Sequence, residues 1–253
     1  MNRTAKIIVQ SVGVAVMAGL LIAAVVSGYM TRPAEKECHS VRYIIEDREV
    51  RAYLTETELT QLLRAKDFYP VNRVIASTTL HRIEQTIAQH PMVRTAQCYI
   101  TPRGEMRIRI TQRVPILRVQ TPIDTYFIDS DRRVMEARES VKDKVPVVSG
   151  NVGVTMASHS LADFALWLQR DTYWRTRIHH LHVQNPQMVY LYLVQSNDSD
   201  AITFNRVVLG SMRGYEQKMS KLRVFLENSS EATKDKQYRE IDLRFKGQVV
   251  GRN

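Results

Sequence analysis

The chain has 253 residues and a formal net charge of +10, with 44% of its residues apolar, 25% charged and only two cysteines. That apolar share excludes a disordered chain, and two thiols exclude a disulfide-stapled scaffold or a cysteine-rich zinc site. Lysines and arginines are spread along the chain among acidic residues, so the basic excess fits an anionic membrane surface or an acidic partner better than nucleic acid.

Residues 1–6 form a short tail made cationic by Arg3 and Lys6, and residues 7–29 carry no charged side chain. At a helical rise of about 1.5 Å per residue the apolar run reaches roughly 34 Å, which predicts one transmembrane helix with its N-terminus in the cytoplasm. A cleaved signal peptide needs a shorter apolar core and a small-x-small cleavage site. Residues 30–40, polar and holding one proline, predict a stalk. After the anchor about 220 residues remain, enough for two small domains with their own cores.

VRYIIEDREV, 41–50, alternates as a strand does. Thr55-Glu56-Thr57-Glu58 has the form of a capping box, and Leu59, Leu62 and Leu63 behind it share one helical face. A connection holding Tyr69-Pro70 precedes a second helix over 79–89, with Leu80, Ile83 and Ile87 as its apolar stripe and His90-Pro91 at its end. TAQCYI, 95–100, then the turn Pro102-Arg103-Gly104, then EMRIRIT, 105–111, predict a hairpin with Met106, Ile108 and Ile110 on one face.

The β-α-α-β-β order, the HPMV run, the hairpin continuing into RIRITQRVPILRV and the single span upstream resemble the POTRA domain of the bacterial cell-division protein family FtsQ (DivIB). TYFIDSDRRVM (125–135), KVPVVSG (144–150) and IDLRFKGQVVGR (241–252) are similar to that family's strand-turn-strand unit, the extended segment after it and its closing hairpin. The resemblance implies an α+β chain: one N-terminal transmembrane helix, a POTRA domain over 41–113 and a larger β-rich domain with flanking helices over 114–253.

The second domain has its own signals. Leu161, Phe164, Ala165 and Leu168 predict a helix over 160–178 with Ser160 as its cap. Segments 179–184, 188–195 and 201–210 read as strands, the first two joined through Asn185-Pro186. Tyr215, Met219, Leu222 and Leu226 predict a helix over 212–229, and 229–237 a polar loop. In YREIDLRF, Ile241, Leu243 and Phe245 fall on one face and Asp242 and Arg244 on the other.

No catalytic set emerges, so the chain reads as a non-enzyme with no cofactor. On a strand His180 and His182 share a face, yet no third ligand completes a metal site, and polar strand residues are the plainer account. Asp129 and Asp131 in a turn point to bonds with their own backbone. Ser149-Gly150 lacks a nucleophile elbow, and no glycine-rich phosphate loop is present. Cys38 and Cys98 are free to pair in an oxidising compartment, and spacing does not decide it.

The resemblance implies a bitopic scaffold of the septum machinery whose outer domains link other division proteins, with membrane partners of the FtsB and FtsL kind and neither nucleic acid nor a small-molecule substrate. A β-rich domain binds by offering a sheet edge, and the last strands are the expected one. Leu243-Arg244-Phe245 matches the family's Leu-Arg-aromatic run, which carries partner contact onto Arg244 and Phe245. Gln248, Val249, Val250 and Arg252 complete the expected edge, with Arg252 where some relatives have tryptophan. Val93-Arg94 is a second expected recruitment surface. A POTRA-bearing factor for polypeptide assembly or secretion is the alternative, and the absence of alternating ten-residue barrel segments counts against it. A tethered metal-dependent hydrolase rests on the histidines alone.

Overall fold

The first helix starts where its capping chemistry places it. Thr55 Oγ1 accepts the Glu58 N–H at 3.2 Å, and the Glu58 carboxylate accepts the Thr55 N–H at 2.9 Å, so two amides without helical partners are satisfied. The computed structural model describes residues 17–23, 36–194, 203–228 and 237–252. Its first unit runs β1 (Lys36–Cys38), β2 (Ser40–Ile45), α1 (Glu56–Ala65), β3 (Arg73–Ile75), α2 (Ser77–Ala88), β4 (Val93–Ile100) and β5 (Glu105–Gln112). Strand β5 lies between β2, to which it is parallel, and β4, to which it is antiparallel. Its Met106, Ile108 and Ile110 are fully buried under Leu59, Leu63, Ile83 and Ile87 of the helices, as the alternation and the helical stripes predict.

Two short strands escaped the sequence reading. Residues 36–38, expected in the stalk, pair antiparallel with 73–75, and Cys38 is fully buried. Among the described residues the first unit therefore begins at Lys36 rather than Val41; three-residue strands carry too few positions to display a period of two. Both cysteines are free thiols. Burial, with the Glu84 charge beside it, pushes the Cys98 thiol up to about 12. The tail 1–6 and most of 7–29 lie outside the described residues. Residues 17–23 are helical, and among the described residues no helix is long and apolar enough to cross a membrane.

The second unit comprises β6 (Pro115–Gln120), β7 (Thr125–Asp129), β8 (Val134–Glu136), β9 (Val147–Gly150), α3 (Val154–Met156), a π-helical turn (Ala157–Leu161), α4 (Ala162–Arg170), β10 (Ile178–Asn185), β11 (Met188–Leu193), β12 (Thr203–Gly210), α5 (Tyr215–Glu227), β13 (Gln237–Asp242) and β14 (Val250–Arg252). One nine-stranded sheet orders them β14-β13-β12-β11-β10-β9-β6-β7-β8. Val119, Val148, Leu181, Leu191, Val207 and Ile241 stand in register across six strands, all fully buried. That face packs against Phe164 and Leu168 of α4 and Met219 and Leu222 of α5. The opposite row, Gln120, Ser149, His182, Tyr190, Val208 and Asp242, belongs to the face turned away from the helices.

The helix expected over 160–178 begins earlier and stops earlier. Ser160 sits inside the π-helical turn instead of capping a helix. After Arg170 the Asp171 carboxylate accepts the N–H groups of Tyr173 and Trp174, a local competitor that ends the helix. The 229–237 loop lies outside the described residues apart from Gln237.

The two units share a core. Phe127 and Met135 point to the side of the sheet away from α4, and with Val141 they join the hydrophobic cluster of the first unit. Arg94 forks onto Asp131 at 2.7 and 2.8 Å, Arg138 reaches Glu58 at 2.7 Å, and Tyr53 and Arg51 both bond Asp143. Val93 is fully buried, whereas Arg94 of the expected recruitment surface stays 46% exposed while it holds Asp131 across this junction.

Candidate partner-docking edge

The last two strands form an antiparallel hairpin with Glu240 opposite Arg252, Ile241 opposite Gly251 and Asp242 opposite Val250. Strand β13 lies parallel to β12, and β14 is the outermost strand, with β13 as its one neighbour among the described residues. Because β14 covers only Glu240–Asp242, the outer side of Gln237–Arg239 is also unpaired among them. The edge is a step: a free β14 and, beside it, the free first half of β13. Unpaired backbone N–H and C=O groups in such a step accept an added strand.

Charge holds the hairpin in shape. Asp242 is fully buried, accepts from the Arg244 N–H at 3.0 Å, Arg244 Nε at 3.0 Å and Arg244 Nη2 at 2.7 Å, and forms an ion pair with Arg252 Nη2 at 3.0 Å. Burial on its own pushes the Asp242 carboxyl up; the Arg244 bonds and the Arg252 charge outweigh it and hold the group below the usual carboxylate range. The hydrogen bond to Asp242 in turn raises Arg244. Arg206 forks onto Glu240 at 3.1 and 3.0 Å and lies 4.6 Å over the Tyr190 ring, while Arg252 stands 3.6 Å from Glu240. The result is an alternating chain of three arginines and two carboxylates across the last three strands.

The expected site residues divide. Arg244, Arg252 and Val250 converge on Asp242, with Arg244 laid along Gly210, where a Cβ would stand 2.7 Å from Arg244 Cγ. Phe245 is 44% exposed, because β13 ends at Asp242 and the chain turns out before Phe245 can continue the inward face of Ile241 and Leu243. Its carbonyl accepts from Lys221 Nζ at 3.1 Å. Ile241 and Leu243 join the main core and Asp242 lies on the opposite face, as the alternation of YREIDLRF predicts, while Phe245, beyond the end of β13, is exposed instead of continuing the face of Ile241 and Leu243. Gln248 is exposed in the hairpin loop, and Val249 is half-buried against the main core. Residues that the sequence did not single out complete the edge: Glu240, Asp242 and Tyr238. A side chain at Gly251 would overlap the Tyr238 ring, so tyrosine and glycine together allow the two strands to close.

Away from the edge, Ser149 Oγ lies 2.9 Å from His180 Nε2 and 3.0 Å from His182 Nδ1. One hydroxyl can donate to one imidazole and accept from the other, which fixes complementary tautomers. Burial, then the neighbouring His182, lowers the His180 pKa. Among the described residues no group of three or more His, Cys, Asp or Glu side chains converges as a metal site. Asp129 Oδ1 accepts the N–H groups of Asp131 and Arg133, the backbone-capping role expected of it, while Asp131 faces Arg94.

A family model described as FtsQ/DivIB, C-terminal related, matches residues 114–252, and a POTRA-like domain matches residues 36–111, starting at Lys36, the first residue of β1. No curated protein matches the chain. More than half of the chain lies under the first match, and the chain belongs to the FtsQ/DivIB cell-division family, with a POTRA-like domain ahead of the C-terminal related one.

Proposed function

We propose that the protein is a single-pass membrane scaffold of the division machinery that does no chemistry and docks membrane partners of the FtsB and FtsL kind at its C-terminal edge. In this reading residues 1–6 are cytoplasmic, residues 7–29 cross the cytoplasmic membrane, and the two folded units stand outside it, on the periplasmic or extracytoplasmic side. The 23-residue apolar run supports the anchor. The observation that carries the docking site is the stepped edge of β14 and β13, rigidified by Asp242 and flanked by the exposed Phe245. An incoming strand gains backbone hydrogen bonds there, and Phe245 supplies an aromatic anchor at low entropic cost.

The test is recovery of partners from solubilised membranes by the full chain, by a chain truncated after Tyr238, and by Phe245→Glu. Loss of capture with both variants, with circular dichroism of the Phe245→Glu protein unchanged, is the expected result. Equal recovery by all three refutes the edge as the docking surface.

A further inference from the structure

The end of the first unit where the chain enters is one continuous rim built from three elements. The β4–β5 turn is locked onto the entry segment: the His39 N–H donates to the Gly104 carbonyl at 2.8 Å, and a Cβ at Gly104 would stand 2.6 Å from His39 Cδ2 and 2.8 Å from the Glu37 carbonyl. The α1–β3 loop joins them through the Asn72 N–H, which donates to the Cys38 carbonyl at 2.7 Å. Lys36, Lys66 and Arg103 therefore sit on the same end of the molecule.

Two of the rim's carboxylates are occupied, and the exposed Glu37 forms no ion pair with a described residue. Asp67 holds Arg73 at 2.5 Å, and Glu105 holds Arg42 at 2.8 Å and Arg107 at 3.3 Å. Lys36, Lys66 and Arg103 form no ion pair with a described residue; with Arg42, Arg73 and Arg107 they set six cations against the three carboxylates Glu37, Asp67 and Glu105, an excess of three positive charges among these residues. Apolar and aromatic surface lies among them: Val74 is 58% exposed and Tyr99 42% exposed. Cations interspersed with amphipathic tyrosine suit a lipid headgroup layer, where the ring lies at the apolar boundary and the hydroxyl stays wet.

The chain itself says what lies opposite this rim. The apolar run closes at Tyr29, and the six residues between it and Lys36 span at most about 25 Å when fully extended. Strands β2 and β5 both start at the rim and run away from it in parallel, and β6 follows β5 at the far end. The rim is thus the part of the folded molecule that the tether brings closest to the bilayer, and the docking edge belongs to the unit beyond.

We propose that the rim carrying Lys36, Lys66, Arg103 and Tyr99 is a contact surface for anionic phospholipid headgroups, which fixes the tilt of the folded domains over the membrane. This rests on the reading of residues 7–29 as an anchor. The experiment uses the full chain in a Cys38→Ser, Cys98→Ser background, reconstituted in phosphatidylcholine vesicles with and without phosphatidylglycerol. A fluorophore on Pro102→Cys reports energy transfer to a headgroup-labelled lipid, and one on Gln187→Cys serves as the distant control. Transfer from position 102 is expected to rise with phosphatidylglycerol, to fall back in high salt and to stay at the neutral-vesicle level in Lys66→Glu/Arg103→Glu, while position 187 shows no gain. Equal transfer in both vesicle types, from protein that resists alkaline extraction, overturns the headgroup contact and leaves the anchor standing. Release of the protein by alkaline extraction overturns the anchor and this inference with it.

Discussion

Replacing Asp242 by asparagine keeps the shape of the side chain and removes the charge that two arginines share. The carboxylate is fully buried, bonded by the N–H, Nε and Nη2 of Arg244 and ion-paired with Arg252. Breaking a buried pair from one side costs about 3–5 kcal/mol, but the arginines retain 36% and 45% exposure, so water recovers part of it and the net cost is about 2 kcal/mol. That cost falls on the hairpin, because Val250 faces Asp242 directly. Hydrogen exchange at the amides of Val250–Arg252 should therefore quicken about 30-fold, while the amides of Leu181 and Leu191 in the sheet centre hold their protection.

The pH dependence follows from the depressed carboxyl. Its folded-state pKa lies below the unfolded value of about 3.9, so the stability it lends is complete above that value and is lost as pH falls through the lower folded value. Wild-type hairpin protection should weaken only in that acid window, and Asp242→Asn should lose this dependence. Unchanged exchange in the asparagine variant at neutral pH refutes the assignment of Asp242 as the clamp.

The remaining expectations address other joints. Gly251→Ala drives a Cβ into the Tyr238 ring and should loosen the hairpin by about 1–3 kcal/mol, with Tyr238→Leu added to relieve it; stability by urea titration reads both, and no rescue by the second change argues against this contact. Phe127→Ala, in the second unit, should cost about 3–5 kcal/mol and expose amides of Met92 and Ile108 in the first; unaltered exchange at those amides removes the shared core. His180 has a lowered folded-state pKa, so its neutral state adds stability that is complete above about 6.5 and is lost as pH falls below it. Melting temperature should drop across that window in wild type and less in His180→Gln, and parallel curves count against the Ser149-bridged pair.

Much of the first unit was legible because local chemistry and tertiary packing agree there. Thr55 and Glu58 cap α1 as their spacing predicts, and Met106, Ile108 and Ile110 alternate into the core. The strand pair β1–β3 marks the limit of that legibility. Lys36–Cys38 is too short to show a period and is held by a partner in Arg73–Ile75, which no local pattern announces. Arg94 and Asp131 are far apart in sequence, so their fork became visible only once the two units were folded together.

The docking edge shows why a strand pattern holds only as far as the strand itself. Alternation put Phe245 on the face of Ile241 and Leu243 and Asp242 on the other, and Phe245 departs from it because β13 ends at Asp242. A buried aspartate is stable only with partners, and both of its partners, Arg244 and Arg252, come from beyond the strand's end. The Arg244 N–H bonds the Asp242 carboxylate two residues back, a local turn that competes with further pairing, so the chain leaves the sheet at Leu243. The same carboxylate that stops β13 then recruits Arg252 and brings β14 alongside. Termination of one strand and placement of the next are one event, and the exposure of Phe245 is its consequence.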